Sequence, residues 1–367
     1  MKKKLLILID TLYPKVDGVA VFLHRTVPLL SKKYDITIIA PNYGNPSYEN
    51  VKLIKMPVFM FGNSQYGLPR PKRKIIKKEV KKCDFILNHE SIFPFSSSFY
   101  AIKYAKKYNK PLFNYTHTLD WDLIKNVSDL PKFIGRITSI VLKVYYKGFM
   151  SKSDLIIVPF KTIKEILIMN GIKNQYEIAP VGVANEFKPN KSINDDKKIT
   201  LGYSGRFSNE KGIITIIKCF KELEKKYNNL QLIMIGCGPL DDKIPKQKNI
   251  IKTGFVDQKD VIKFLQKIDI FLLPSKMETS SIATMEAMKT GAVCVARDVG
   301  CISDYLKNDF NGFLFEKNEE LLPLLEKLID NKDLREKFSK NGRKIMLEYN
   351  WENTTNKLIE IFEKYLN

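Results

Sequence analysis

Glu278 and Glu286 stand eight positions apart. The first follows the end of a strand-like run, and the second is expected about two turns into a helix. Between them TSSIA (279–283) would begin that helix and present backbone N–H groups with no intrahelical acceptor, a site for an anion. Carboxylates accept bonds from hydroxyls and amides hold phosphate, a combination that suits a sugar nucleotide. Two solvated glutamates on an ordinary surface helix would look the same in isolation.

Further groups alter that balance. Strand-like ITLGYS (199–204) runs into Gly205-Arg206-Phe207 and then Glu210-Lys211-Gly212. Arg206 offers a forked donor pair and Lys211 a mobile point charge, and both can converge on one diphosphate across a strand–helix turn. A charged loop capping a helix is the plainer alternative. His117, in Tyr115-Thr116-His117-Thr118, ends the strand-like PLFNY, and His89 likewise ends a strand; a hydrogen-bonded structural histidine suits His24 better. Asp17-Gly18-Val19-Ala20 follows the first strand, and Gly18 would let a ligand approach the backbone closely. Two lookalikes are rejected. Gly236-Cys237-Gly238-Pro239 lacks the third glycine of a dinucleotide fingerprint. Asp120-Trp121-Asp122 has metal-pair spacing but follows His117, and nothing else suggests a metal.

The elements that position these groups alternate. Apolar strands at 5–10, 35–40, 84–88, 111–115 and 154–159 are interspersed with amphipathic runs at 19–31, 72–82, 95–108 and 131–150. A second series has strands at 199–204, 230–236, 268–274 and 292–297, with helices at 211–227, 258–267 and 280–290. Continuous apolar strands between helices indicate parallel sheets covered on both faces. The 367 residues exceed one comfortable core. The reading is therefore an α/β chain of two doubly wound domains: 1–187, a polar linker 188–198, and 199–350. A final amphipathic helix, 351–367, is expected to pack back across the junction. Ligands of such sheets bind beyond the strands' carboxyl ends, here in the cleft between the domains.

Five cysteines are scattered without zinc or redox spacing, as reduced cytosolic thiols are. The apolar run Leu5–Ile9 is too short for a secretion signal, and no run is long enough to span a membrane. The formal charge is +21, and residues 1–190 hold 31 Lys and Arg against 14 Asp and Glu. Nucleic acid, anionic membrane and phosphorylated substrate are all compatible with that excess.

In this order, DTLYPKVDGVAVFLHRTVPLLS, NYTHTLDW, PVGVANEFKP, GYSGRFSNEKG, LIMIGCGPL, GFV (254–256) and PSKMETSSIATMEAMKTGAVCVA resemble glycosyltransferase family 4 over nearly the whole chain. That family has the GT-B fold, two Rossmann-like domains facing across a cleft, and transfers sugars from nucleotide donors with retention. The resemblance implies that Arg206 and Lys211 bind the donor diphosphate, Glu278 the hydroxyls of the transferred sugar, and Glu286 the ribose. It puts His117 beside the reacting carbon, Gly18 at the diphosphate and acceptor, and Phe255 and Val256 beside the base. Thr279, Ser280 and Ser281 stand where the family often has glycines, so the sugar preference does not transfer. No cofactor or metal is implied.

Residues 70–82 carry Arg70, Lys72, Arg73, Lys74, Lys77, Lys78, Lys81 and Lys82 against one Glu, with Ile75, Ile76 and Val80 as an apolar side. This suits an amphipathic helix on anionic lipid. The stretch 131–150 mixes apolar and basic residues too and reads as a core helix. With THT and the acidic–aromatic run after it, these features are most similar to the family's diacylglycerol glucosyltransferases. The resemblance thus implies a UDP-hexose donor, a lipid or lipid-linked saccharide acceptor, and a cytoplasmic protein peripheral on the inner membrane face. A GDP-mannose donor or a soluble or polysaccharide acceptor is the alternative, and a basic nucleic-acid-binding protein is a rival class. Against that rival, no helix-turn-helix, zinc finger or aromatic RNA-binding signature is present.

Overall fold

A computed structural model describes residues 1–11, 17–44, 46, 48–59, 68–89, 96–117, 119, 132–189 and 198–366. They fall into two compact units, Met1–Gly182 together with Trp351–Asn367, and Val183–Asn350.

The first unit contains β1 (Lys4–Leu8), α1 (Gly18–Leu30), β2 (Asp35–Pro41), β3 (Val51–Met56), the short pair β4 (Val58–Phe59) and β5 (Leu68–Pro69), α2 (Arg73–Lys82), β6 (Phe85–Asn88), α3 (Ser97–Lys107), β7 (Leu112–Tyr115), α4 (Lys132–Met150), β8 (Leu155–Val158), α5 (Lys161–Met169) and β9 (Tyr176–Ile178). Its parallel sheet runs β3-β2-β1-β6-β7-β8-β9. Every residue of β6, β7 and β8, and Leu5–Leu8 of β1, is buried, which is why these segments are apolar without alternation.

The second unit contains β10 (Ile199–Ser204), α6 (Ile213–Glu224), β11 (Leu230–Ile235), β12 (Ile250–Lys252), α7 (Gln258–Leu265), β13 (Ile270–Leu273), α8 (Ile282–Thr290), β14 (Val293–Arg297), the short α9 (Ile302–Tyr305), β15 (Gly312–Phe315), α10 (Asn318–Asp330) and α11 (Lys332–Met346). Its parallel sheet runs β12-β11-β10-β13-β14-β15. The expected α/β class with two doubly wound parallel sheets is what forms.

Helix α12 (Trp351–Leu366) belongs to the first unit. Phe362 packs its ring against Tyr34, Phe85 and Phe113, Trp351 meets Phe22 edge-on, and the Thr354 hydroxyl donates to the Pro180 carbonyl at 2.8 Å. The unit boundary differs from the expected 187. Val183 N donates to the Tyr349 carbonyl at 2.9 Å, and the buried Lys289 ammonium donates to Val183 O at 2.9 Å and Asn185 Oδ1 at 3.1 Å. A buried ammonium must keep its acceptors, so residues 183–187 go with the second unit. Residues 190–197 of the expected linker lie outside the described residues, as do 120–122.

Two expectations about surface helices change. In α2, Ile76 and Val80 are fully buried and Ile75 partly so, and Glu79 is buried with its carboxylate accepting from Lys52 Nζ at 2.8 Å. The apolar side meant for lipid is thus spent on the core. The eight basic side chains from Arg70 to Lys82 are all exposed, with Arg73 lying over the Tyr100 ring and Lys81 over the Tyr108 ring. Conversely, α4 is not a core helix: Ile137, Ile140, Val141 and Val144 are exposed. Among the described residues no helix is long and apolar enough to cross a membrane.

Candidate functional site

In each sheet the strand order reverses direction beside the first strand, between β1 and β6 and between β10 and β13. Loops leaving adjacent strands at such a point diverge to opposite faces, and the opening between them receives a ligand. Among the residues singled out from sequence, Arg206, Lys211 and Glu278 follow β10 and β13, and Gly18 and His89 follow β1 and β6, whereas His117 follows β7 and Phe255 and Val256 follow the edge strand β12.

In the second unit, β10 leads to Gly205 and Arg206, and β13 leads to Pro274, Glu278 and α8. A one-turn 3-10 helix, Asn209–Lys211, carries Lys211, two residues short of the helix it was expected to open. Gly212 (φ 72°) follows, where a Cβ would overlap the Pro274 carbonyl, so glycine lets the two loops touch. Lys276 N donates to the Glu210 carbonyl at 2.7 Å. The Lys211 ammonium meets Glu278 Oε1 at 2.7 Å, with the two side chains 27% and 10% exposed. Arg206 is exposed, and its guanidinium has no ion pair among the described residues.

Helix α8 begins at Ile282, so Thr279, Ser280 and Ser281 form the approach and Glu286 sits about one turn in. The cause is Ser281, held in the left-handed region (φ 42°, ψ 68°), with its hydroxyl bonded to that of Thr284 at 2.8 Å. The N–H groups of Ile282 and Ala283 therefore point out of the helix start. Phe255, after β12, is 75% exposed, and Val256 is partly buried.

Two buried tyrosines fix the loops. Tyr203 donates to the Arg206 carbonyl at 3.0 Å, and Tyr305 donates to the Ser280 carbonyl at 3.1 Å. Burial, and then nearby carboxylates or thiols, push both phenols well above their usual range, so both remain donors. Sequence reasoning missed both, because the neighbours of a tyrosine in the chain carry no sign of where its hydroxyl ends.

In the first unit, Asp17 caps α1, its carboxylate accepting from Val19 N at 3.0 Å and Ala20 N at 2.9 Å, which leaves Gly18 exposed at the helix start. His89 directly follows β6 and His117 lies two residues past β7, and the pairing of these strands sets His89 Nδ1 2.7 Å from His117 Nε2. Phe22 and Tyr115 pack against both rings. Burial lowers both histidines, His117 to about 3, so both are neutral at ordinary pH. His89 Nε2 is buried without a partner among the described residues. Orphaned buried N–H groups are rarer than under-satisfied acceptors, so we assign the proton to His89 Nδ1, donating to His117 Nε2. His117 then carries its own proton on Nδ1 and presents a donor.

This pair sets a pH dependence. Unfolding frees both imidazoles to bind protons near pH 6.5, which the folded state refuses. The unfolded form therefore binds more protons below that point, and stability falls as pH falls. Relative to the His89→Gln variant, the wild type is expected to lose about 1.4 kcal/mol more per pH unit between about pH 6 and 5 in urea unfolding. Parallel slopes would show that His89 is not held neutral.

A family model described as Glycosyltransferase Family 4 matches residues 16–187, and one described as Glycosyl transferases group 1 matches 184–345. The chain is 26% identical to an uncharacterized glycosyltransferase of Methanocaldococcus jannaschii, covering all of both proteins. It is 25% identical to the alpha-monoglucosyldiacylglycerol synthase of Acholeplasma laidlawii, covering 84% of this chain and 83% of that one. Among solved structures, Anabaena HepE in complex with UDP and glucose superposes with a TM-score of 0.76 at 15% identity, covering 99% of this chain and all of the other.

Proposed function

The chain belongs to the family 4, group 1 glycosyltransferases of the GT-B fold, and from that premise we propose that it moves a hexose from a UDP-sugar to a lipid hydroxyl with retention. The observation that carries this reading is the Lys211–Glu278 contact beside the start of α8, at the reversal point of the second sheet. A cation, a carboxylate and outward N–H groups at one opening suit a diphosphate joined to a polyol.

On this reading Arg206, Lys211 and the N–H groups of Ile282 and Ala283 would hold the diphosphate. Charge growing on the leaving phosphate as the sugar–oxygen bond breaks would meet donors already in place. An ammonium has three donors, so Lys211 can keep Glu278 oriented while it takes a phosphate oxygen. Glu278 would accept from sugar hydroxyls and Glu286 from the ribose, with Phe255 and Val256 beside the base. His117 would act as a neutral donor near the reacting carbon. Its Nε2 is occupied by His89, so it is a poor general base there. The acceptor's proton would instead go to the departing phosphate, which shares a face with the incoming hydroxyl. Gly18 would leave room for the diphosphate and acceptor.

A lipid acceptor is supported by the diacylglycerol named for the Acholeplasma relative and by the 31 to 14 excess of basic over acidic residues in 1–190. A UDP donor agrees with the ligands of HepE. The enzyme would work on the inner, anionic face of the cell membrane. The test is incubation with UDP-glucose, UDP-galactose or GDP-mannose and diacylglycerol or monoglucosyldiacylglycerol in mixed micelles, with NMR of the product. An α-linked glycolipid from a UDP-sugar is expected. An inverted linkage, or transfer only from GDP-mannose or only to soluble saccharides, would overturn it.

A further inference from the structure

Helix α4 packs through one side only. Tyr146, Phe149 and Met150 are buried at 5%, 4% and 1% exposure. On the opposite side Ile137, Ile140, Val141 and Val144 are exposed at 59%, 57%, 61% and 68%. Their spacing of three, four and seven places them in one stripe along the helix. Elsewhere among the described residues, large apolar side chains are exposed singly or, at Ile168 and Met169, as a pair. A contiguous apolar stripe is the kind of surface that marks an interaction site.

The charge around the stripe identifies what covers it. Arg136, Lys143 and Lys147 lie on a line roughly 90° around the helix from the stripe, at 100° per residue. The helix contains no Asp or Glu. A second copy docked on this face would set these cations against their own counterparts. An anionic bilayer would take the apolar side chains among its acyl chains and the bases among its headgroups. The eight exposed bases from Arg70 to Lys82 can add long-range attraction but no insertion, because the apolar side of α2 is in the core.

We propose that α4 is the membrane-inserting element of this enzyme, with Ile137, Ile140, Val141 and Val144 entering an anionic bilayer and Arg136, Lys143 and Lys147 at its headgroups. This rests on the lipid-acceptor reading for its purpose, while its physical basis is the stripe itself.

The test is flotation of the full chain with vesicles of phosphatidylcholine alone or mixed with phosphatidylglycerol, all free of diacylglycerol. The wild type is expected to float with the mixed vesicles, and the double variant Ile140→Glu, Val144→Glu to bind about tenfold less or weaker. Its hydrolysis of a soluble donor should stay within twofold, since neither residue touches the donor groups. Met169→Glu, at an exposed apolar position on α5, should bind as the wild type does. As a direct readout, Ile140→Trp should shift its emission to the blue on mixed vesicles, and Met169→Trp should not.

Equal binding by the double variant and the wild type would overturn the proposal. So would no binding by the wild type, or a wild-type dimer in solution that the double variant dissolves, which would give the face to a second copy. Wild-type flotation lost in the double variant, together with no transfer to any lipid, would uphold the insertion face and overturn the lipid-acceptor reading alone.

Discussion

Lys211→Ala is expected to lower turnover about 10²-fold or more, the scale of losing one preorganised charge at a developing anion. Arg206→Ala should do the same, yet the two should differ in stability. Lys211 is the partner of a Glu278 side chain that is only 10% exposed. Removing it leaves a nearly buried carboxylate unpaired, at about 1–3 kcal/mol. Arg206 is exposed with no ion pair among the described residues, so its loss should leave the melting transition within about 0.5 kcal/mol of wild type. A rate loss with unchanged stability at 206, and with reduced stability at 211, would separate the catalytic role from the structural one. Lys211→Arg should recover the stability more fully than the rate, because a planar fork does not reproduce a point charge. Full activity in both alanine variants would end the assignment of this opening as the donor site.

The layout of the two sheets was legible because their central strands are largely buried on both faces and therefore mostly apolar, without alternation. β1, β6, β7, β8, β10, β11, β13 and β14 all lie within a residue or two of the runs read from sequence. The edge strands were not legible. β3 reads VKLIKM with most residues half-exposed, and β9 has no buried residue, so neither stands out as a run. β12, at three residues, is too short to carry a pattern.

Amphipathicity misled in a particular way. It reports that a helix has an apolar side without reporting where that side faces. α2 turns Ile76 and Val80 inward, whereas α4 turns Ile137, Ile140, Val141 and Val144 outward. Lys211, Glu278 and His117 could be singled out from sequence because their types and positions after strands point to chemistry, and the structure pairs the first two with each other and the third with His89. The contacts that support them were not legible. The link from His89 to His117 depends on the pairing of β6 with β7, and the Tyr305 anchor on a contact between residues 25 apart. The left-handed Ser281, which shortens α8, defies the residue preference that a sequence reading must use.

Gly300 illustrates that limit and yields the other large expected effect. Between β14 and α9 it takes φ 59°, and a Cβ there would overlap the carbonyl oxygen of Glu278. Nothing in VGCISD distinguishes this glycine from an ordinary turn residue, yet it is the surface against which the Glu278 backbone rests. Gly300→Ala asks alanine to adopt a left-handed conformation, at about 1–2 kcal/mol, and also pushes a backbone atom that has no rotamer with which to yield. The 278–281 segment must therefore move. A shift near 1 Å at a positioned group costs about 10²-fold, so kcat/KM should fall by that much while the unit remains folded. Gly171→Ala is the matched control. Its φ is 77°, but its new Cβ would meet only the end of the Lys147 side chain, which can swing away. It should show a similar stability loss with donor hydrolysis within twofold of wild type. Gly300→Ala activity near that of the control would mean that the Glu278 loop is not held by this contact. Equal losses in both variants would assign the effect to stability alone.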